Sequence, residues 1–175
     1  FVPTATLLLP TSSWSTNYLA VSTAPVDSNA RRFIQLVANE DDTEVWIAPK
    51  AKIDDGLDVD GTARGVAKRW TLERGQALQI SQRDDLTGSP IEANKPVGLF
   101  GGAECSNIPA NVPSCDLTQQ QILPLAQWGS EYALVPYRPR IADGNGTDVA
   151  TYEKVPYSFV GAVAGTVLTY DPVRP

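Results

Sequence analysis

Fourteen prolines and thirteen glycines are spread along the 175 residues, and they interrupt every pattern long enough to form an extended helix. Between them lie short segments rich in β-branched and aromatic residues, such as residues 33–38 and 43–48, which have high strand propensity. The polar residues 39–42 between these two segments suit a hairpin turn. Short strands joined by Gly- and Pro-rich turns predict an all-β fold, an antiparallel β-sandwich.

One pattern, Leu-Pro-x3-Trp-x3-Tyr-x2-Val, occurs twice, beginning at Leu9 and at Leu123. Its Pro, Trp and Tyr residues recur at a constant spacing and serve as repeat anchors: Pro10, Trp14, Tyr18, Pro124, Trp128 and Tyr132. Similar strand-like segments follow each occurrence in the same order. The sequence therefore predicts a duplicated unit. Its first copy, with a disulfide loop, occupies residues 1–121, and an incomplete second copy occupies residues 122–175. Whether the two copies pack as one domain stays open.

Cys105 and Cys115 are the only cysteines, and they flank a loop rich in proline and asparagine. Two cysteines without any histidine do not make a typical zinc site. A disulfide bond is the favoured interpretation, and two free, buried thiols are the alternative. A disulfide in turn predicts an extracellular or cell-surface protein.

The chain contains no histidine, which removes the most common general base and metal ligand. No nucleophile elbow, phosphate loop or dinucleotide-binding pattern is present. We therefore expect no enzymatic activity. The net charge of −6 and the scattered basic residues also disfavour nucleic acid as a partner. No apolar stretch approaches the roughly 20 residues that a transmembrane helix needs.

Residues 54–61 place carboxylates at alternating positions ahead of a glycine, which partly imitates a calcium-binding loop. Asp54, Asp58 and Asp60 are the candidate ligands. The pattern departs from an EF-hand, because the first ligand position is glycine and the twelfth is Ala67. A solvated acidic loop without calcium is the simpler interpretation, and we expect no other cofactor.

Ligand-facing loops on a rigid β scaffold are a common basis for binding. Besides the acidic loop, the candidates are the cysteine loop and a Gly- and Asp-rich loop near residue 145. Their candidate binding residues are Asn107, Asn111, Asp143, Asn145 and Asp148.

Residues 84–102, from Asp-Asp-Leu-Thr-Gly through Lys-Pro-Val to Gly-Gly, resemble the central motif of the N-terminal domain of the IgG Fc-binding protein family. Cys105, the Cys115-Asp116 pair, Pro124 and the Trp128-Gly129 pair follow in the family's order. The resemblance covers most of the chain and is that of a bacterial-type member. Leu117 departs from the pattern, since the family often has histidine there.

This resemblance implies an extracellular β-rich module that binds or adheres. The leading hypothesis is therefore a binding or adhesion module of a larger exported surface protein, with a protein or glycan ligand. IgG binding itself is not expected, because fold and family name do not determine the ligand. The alternative is a structural repeat of a fibre, sheath or surface layer, which assembles with other copies or further domains through strand edges.

Overall fold

In a computed structural model, residues 4–23, 30–106, 115–135 and 157–171 are described. The strands are β1 (Ser15–Leu19), β2 (Arg32–Ala38), β3 (Thr43–Ile47), β4 (Lys68–Leu72), β5 (Ala77–Gln82), β6 (Pro90–Ser106) and β7 (Asp116–Ile122). The only helices in these four ranges are two 3-10 turns, Thr11–Ser13 and Leu125–Gln127. Neither could cross a bilayer. The all-β prediction is confirmed.

The seven strands form one antiparallel sheet that curls into a half-barrel. Its main order is β4-β3-β6-β2-β5, and both β1 and β7 also pair with β6. The first half of β6 lies between β1 and β3, and its second half lies between β2 and β7. The two layers expected for a sandwich are here two halves of one continuous, curled sheet. They are continuous because the 17-residue β6 runs through both halves.

Two glycines of β6 allow other parts of the chain to approach its backbone. A Cβ atom at Gly98 would lie 2.6 Å from the ring of Trp14, and one at Gly102 would overlap the carbonyl oxygen of Thr118 in β7. Any larger side chain would push the indole or β7 away from the sheet. The repeat anchor Trp14 therefore packs against the backbone of β6.

A single hydrophobic core lines the inside of the half-barrel. Alternate residues of the central strands point into it, as the two-residue period of a strand requires. Leu36, Val45, Ile47, Val97 and Leu99 are fully buried there. Trp46 alternates with Val45 and Ile47 and lies on the other face, where it is half-buried, as expected.

The buried Tyr18 joins β1 to β6. Its hydroxyl donates a hydrogen bond to the carbonyl oxygen of Val97 at 2.7 Å and accepts one from the backbone N–H of Ser15 at 3.0 Å. Burial raises the pKa of this phenol, against the opposing effect of the Ser15 hydrogen bond. The side chain therefore stays neutral and fixes β1 at the point where β6 passes from one half of the sheet to the other.

The two occurrences of the repeated pattern share their local geometry. Each places a 3-10 turn between the proline and the tryptophan, with extended backbone at both. The N–H of Trp14 donates to Thr11 O at 3.0 Å, and the N–H of Trp128 donates to Leu125 O at 3.1 Å. The tyrosine hydroxyl of each occurrence also accepts a backbone N–H, from Ser15 and from Gly129, each at 3.0 Å. The strands that follow the first occurrence have no counterpart in the described residues 157–171, which contain no strand. The structure thus shows a repeated turn, while a duplicated unit is not shown.

The central block that carries the family resemblance forms a hydrogen-bonded junction around Asp85. Its carboxylate accepts hydrogen bonds from the Ser22 hydroxyl and the Thr87 N–H, each at 2.8 Å. The N–H of Ser22 donates to the Thr87 hydroxyl at 3.0 Å, and Arg32 lies 3.7 Å from the second carboxylate oxygen. These contacts tie the segment after β1 to the turn between β5 and β6.

Cys105 and Cys115 form a disulfide bond with a Cα–Cα distance of 5.0 Å, which confirms the pairing expected from the sequence. Cys105 lies near the end of β6, and Cys115 directly precedes β7. The bond therefore closes the connection between two strands that already pair. It holds β7 against β6, although β7 has only one neighbour in the sheet.

We predict that Asp85→Asn lowers the free energy of unfolding by about 1 kcal/mol, because hydrogen bonds to a charged but half-exposed acceptor are lost. Burial raises the pKa of Asp85, but the Thr87 and Ser22 hydrogen bonds and Arg32 outweigh it and leave the pKa below its ordinary value. A lowered native pKa stabilises the fold above the unfolded pKa of about 3.9, and this contribution is lost as the pH falls further. The difference in free energy of unfolding between the variant and wild type, measured by urea titration, should be smaller at pH 3 than at pH 7.

Asp84→Asn is the matched control, because the Asp84 side chain makes no hydrogen bond or ion pair within the described part of the chain. It should unfold like wild type at both pH values. Equal stability of the two variants at pH 7 would contradict the assigned role of Asp85.

We also predict that the double variant Cys105→Ser/Cys115→Ser is about 2.5–3 kcal/mol less stable than the oxidised protein, because a short loop is no longer closed in the unfolded chain. Reductant should lower the stability of wild type to that of the variant and leave the variant unchanged. Alkylation of both thiols of the folded wild type without reductant, detected by intact mass, would refute the bond.

Candidate functional site

The half-barrel is open between β4 and β5, two strands that each pair with one described neighbour only. These strands do not pair with each other, although only four residues connect them. A groove of about 850 Å³ runs along β5, and the acidic loop of residues 54–59 forms its other wall. A smaller groove of about 350 Å³ continues between β4 and β5. This opening is a concave surface lined by β4, β5 and the acidic loop.

β5 presents unpaired backbone groups to this opening. The N–H of Ala38 in β2 donates to Gln76 O, just before β5 begins. In an antiparallel pair every second residue bonds to the neighbouring strand, and the residues between turn their N–H and C=O groups the other way. Ala77, Gln79 and Ser81 therefore direct their backbone groups toward the groove.

Gln82 at the end of β5 holds the acidic loop in place. Its amide nitrogen donates to Lys52 O at 2.8 Å, and its amide oxygen accepts from the N–H of Asp54 at 3.2 Å. Val59 at the far end of the loop packs against the core, whereas Leu57 is fully exposed. The loop is thus anchored at both ends while its middle remains accessible.

Acidic side chains dominate the charge of the groove. The lining residues include four carboxylates and two guanidinium groups, from Asp54, Asp55, Asp58, Asp84, Arg31 and Arg83. Lys52 lies 3.0 Å from Asp54 and offsets its charge. Asp58 has no ion-pair partner within the described residues and keeps the wall opposite β5 negative. The surface is therefore complementary to a cationic ligand.

Two of the three carboxylates proposed for calcium form separate ion pairs. Asp54 pairs with Lys52, and Asp60 pairs with Lys68 at 3.4 Å. Within the four described ranges, no three acidic, cysteine or histidine side chains come together as a metal site would require. Calcium binding by Asp54, Asp58 and Asp60 stays a prediction from the sequence.

Trp70 on β4 lines the smaller groove. Its indole nitrogen is buried and has no hydrogen-bond partner among the described residues. The ammonium group of Lys68 lies 5.9 Å from the ring centre, within reach of a weak cation–π contact. The half-buried tryptophan also packs against the core, and its ring adds apolar area to the opening.

The other residues proposed from the sequence are distributed as follows. Asn107 and Asn111 of the cysteine loop lie outside the described residues, as do Asp143, Asn145 and Asp148. The anchors Pro10 and Pro124 precede the two 3-10 turns, with Pro124 buried and Pro10 exposed. Trp128 is half-buried and its indole N–H donates to Leu123 O at 2.9 Å.

The sequence pointed to the acidic loop but missed β5 and Trp70 as its neighbours. Residues 77–80 were recognised as a strand, and their alternation is visible in the sequence. That β5 lies at an edge depends on pairing between distant segments, which no local pattern encodes.

Comparison with known proteins finds a matching family model and a similar human protein. The family model described as "IgGFc binding protein" matches residues 4–175. A human protein named "IgGFc-binding protein" is 25% identical over 166 residues, which cover 95% of this chain and 3% of the human protein. The chain thus spans a small part of that relative, and no solved structure matches it. Because the family match extends over nearly all of its residues, the chain belongs to the IgGFc-binding protein family.

Proposed function

We propose that this chain is an extracellular binding or adhesion module of a larger exported surface protein, and that it holds an extended, basic polypeptide segment along β5. The observation that carries the proposal is the unpaired edge of β5 beside an acidic groove. The family name and the printed name of the human relative, which both refer to binding, support the general role. The disulfide bond supports an exported location.

An edge strand can bind a peptide by accepting it as a further strand. The six residues of β5 would pair with a segment about 20 Å long, at roughly 3.3 Å per residue. Three of these residues direct their backbone N–H and C=O groups outward, so main-chain hydrogen bonds would supply affinity. Gln79 is exposed, and no described strand pairs with this edge.

Charge and side-chain contacts would supply specificity. The peptide would lie between β5 and the carboxylates of the acidic loop, where alternate Lys or Arg side chains meet Asp54 and Asp58. Side chains of the opposite alternation would face Val59 and Trp70 in the smaller groove. A segment alternating basic and apolar residues therefore fits this site better than a glycan does.

We propose no catalytic role. The chain has no histidine to act as a general base. The Ser81 hydroxyl, which lines the groove, donates to the Glu104 carboxylate at 2.7 Å in an exposed pair, and we assign this contact no catalytic role. Binding alone accounts for an acidic groove beside an unpaired strand.

We predict that a synthetic peptide of about eight residues with alternating Lys and Val binds the protein, while one with alternating Glu and Val does not. Gln79→Pro should abolish binding, because proline removes an outward N–H without breaking a bond to β2. Gln79→Ala, which keeps the N–H, is the matched control and should bind like wild type. Isothermal titration calorimetry measures each affinity.

Asp58→Asn should weaken binding of the Lys/Val peptide, and more strongly at low ionic strength, where screening is least. Equal affinity for the two peptides, or unchanged affinity in Gln79→Pro, would rule out strand addition at β5.

The second candidate is a structural repeat of a fibre, sheath or surface layer, favoured by the unpaired edges of β4 and β5. If copies assemble through these edges, the molar mass measured by sedimentation should rise with concentration, and Gln79→Pro should prevent the rise. A protein that remains monomeric at every concentration would refute assembly and leave the binding module as the function.

A further inference from the structure

The first occurrence of the repeated pattern continues directly into β1, which pairs with the beginning of β6. Tyr18 on β1 lies opposite Ile91 and is only 1% exposed. Ala20, just after the strand, is fully buried. These residues are covered because β6 supplies both a neighbouring backbone and part of the core.

The second occurrence has the same turn and the same tyrosine hydrogen bond, but its apolar side chains are exposed to solvent. The Tyr132 hydroxyl accepts a hydrogen bond from the N–H of Gly129 at 3.0 Å, as the Tyr18 hydroxyl does from Ser15. Tyr132 is 64% exposed, and Leu134 and Val135 are 43% and 77% exposed. The local conformation is therefore already formed, while the described ranges contain no equivalent of the strand that buries these positions in the first occurrence.

The second turn is also held in place beside the first. The side-chain amide of Gln127 donates to the carbonyl oxygen of Ser13 at 3.0 Å, and the preceding Pro124 is buried. Gln121, at the end of β7, accepts from the N–H of Leu9 through its side chain. The apolar residues that follow thus start from a fixed position on the sheet.

We propose that residues 129–135 form a vacant strand position, which pairs with an extended segment of the β6 type from another unit of this family. Such a segment carries apolar residues at alternate positions, as Ile91, Ala93 and Val97 do in β6. Its backbone would accept the Tyr132 hydroxyl, as Val97 O accepts the Tyr18 hydroxyl. This surface is separate from the β5 groove, so the inference does not depend on the proposed peptide ligand.

A second copy of this same chain does not meet the requirement. Its β6 already has neighbours on both edges, namely β1 and β7 on one side and β3 and β2 on the other. Donating that strand would require the sheet to open. The partner is therefore a β6-type segment that is not already paired in this way, and residues 129–135 would join consecutive units of the family.

The test uses the whole chain and a synthetic peptide with the sequence of residues 88–100, which covers the part of β6 that pairs with β1. We expect the peptide to slow hydrogen exchange at the amides of residues 131–135. A peptide of the same composition in scrambled order should have no effect. Tyr132→Ser should weaken binding at least about tenfold, since a buried aromatic anchor is lost.

Tyr170→Ser is the matched control, because Tyr170 is also exposed, at 44%, and lies outside the proposed strand. It should bind the peptide like wild type. Val135→Lys offers a second variant at an exposed position of the strand and should also weaken binding. Circular dichroism and melting temperature check that each variant keeps the fold.

Four outcomes would overturn the proposal. One is no protection of residues 131–135 at any peptide concentration, and another is protection that Tyr132→Ser leaves intact. The third is formation of dimers of the chain alone that Tyr132→Ser abolishes, because the occupant would then be a second copy. Protection confined to residues 15–19 would show exchange with the chain's own β6 and would equally contradict it.

Discussion

The whole sheet depends on the backbone hydrogen bonds of β6. This strand pairs with four others, two on each edge, and no other described strand has more than two neighbours. Its buried residues Ile91, Val97 and Leu99 also contribute to the core of both halves. A single strand thus joins what would otherwise be two separate sheets. The sheet curls around the core but does not close, because β4 and β5 do not pair, and the groove of the candidate site lies at this opening.

The residues of the family motif contribute to this arrangement. Asp85 and Thr87 hold the segment after β1 to the turn that leads into β6, and Gly98 and Gly102 allow Trp14 and β7 to approach its backbone. These are the residues that made the resemblance recognisable in the sequence. Membership of the family therefore determines the scaffold, while the surfaces that would contact a partner lie in the acidic loop and on β5.

The sequence predicted the parts of the structure that depend on local chemistry. Strand-forming segments and the Cys105–Cys115 bond follow from propensity or residue type. The repeated Pro-x3-Trp pattern predicted a duplicated unit, which the structure does not show, although the 3-10 turn within the pattern does recur. It did not predict that Tyr18 is buried and Tyr132 exposed, because burial depends on a strand located far along the chain. The groove was missed for the same reason, since an edge strand is defined by the absence of a neighbour.

The late position of β6 in the chain has a consequence for the order of assembly. During synthesis or translocation from the N-terminus, β1, β2 and β3 emerge before the strand that pairs with all of them. The β3–β4 and β2–β5 pairs can form early. Their apolar faces remain exposed to solvent until the chain has emerged as far as residue 106, where β6 ends. Non-local pairing of this kind slows folding and prolongs the time for which aggregation-prone intermediates are exposed. A chaperone that binds unfolded chains would protect the nascent chain until β6 has emerged and the Cys105–Cys115 bond can form.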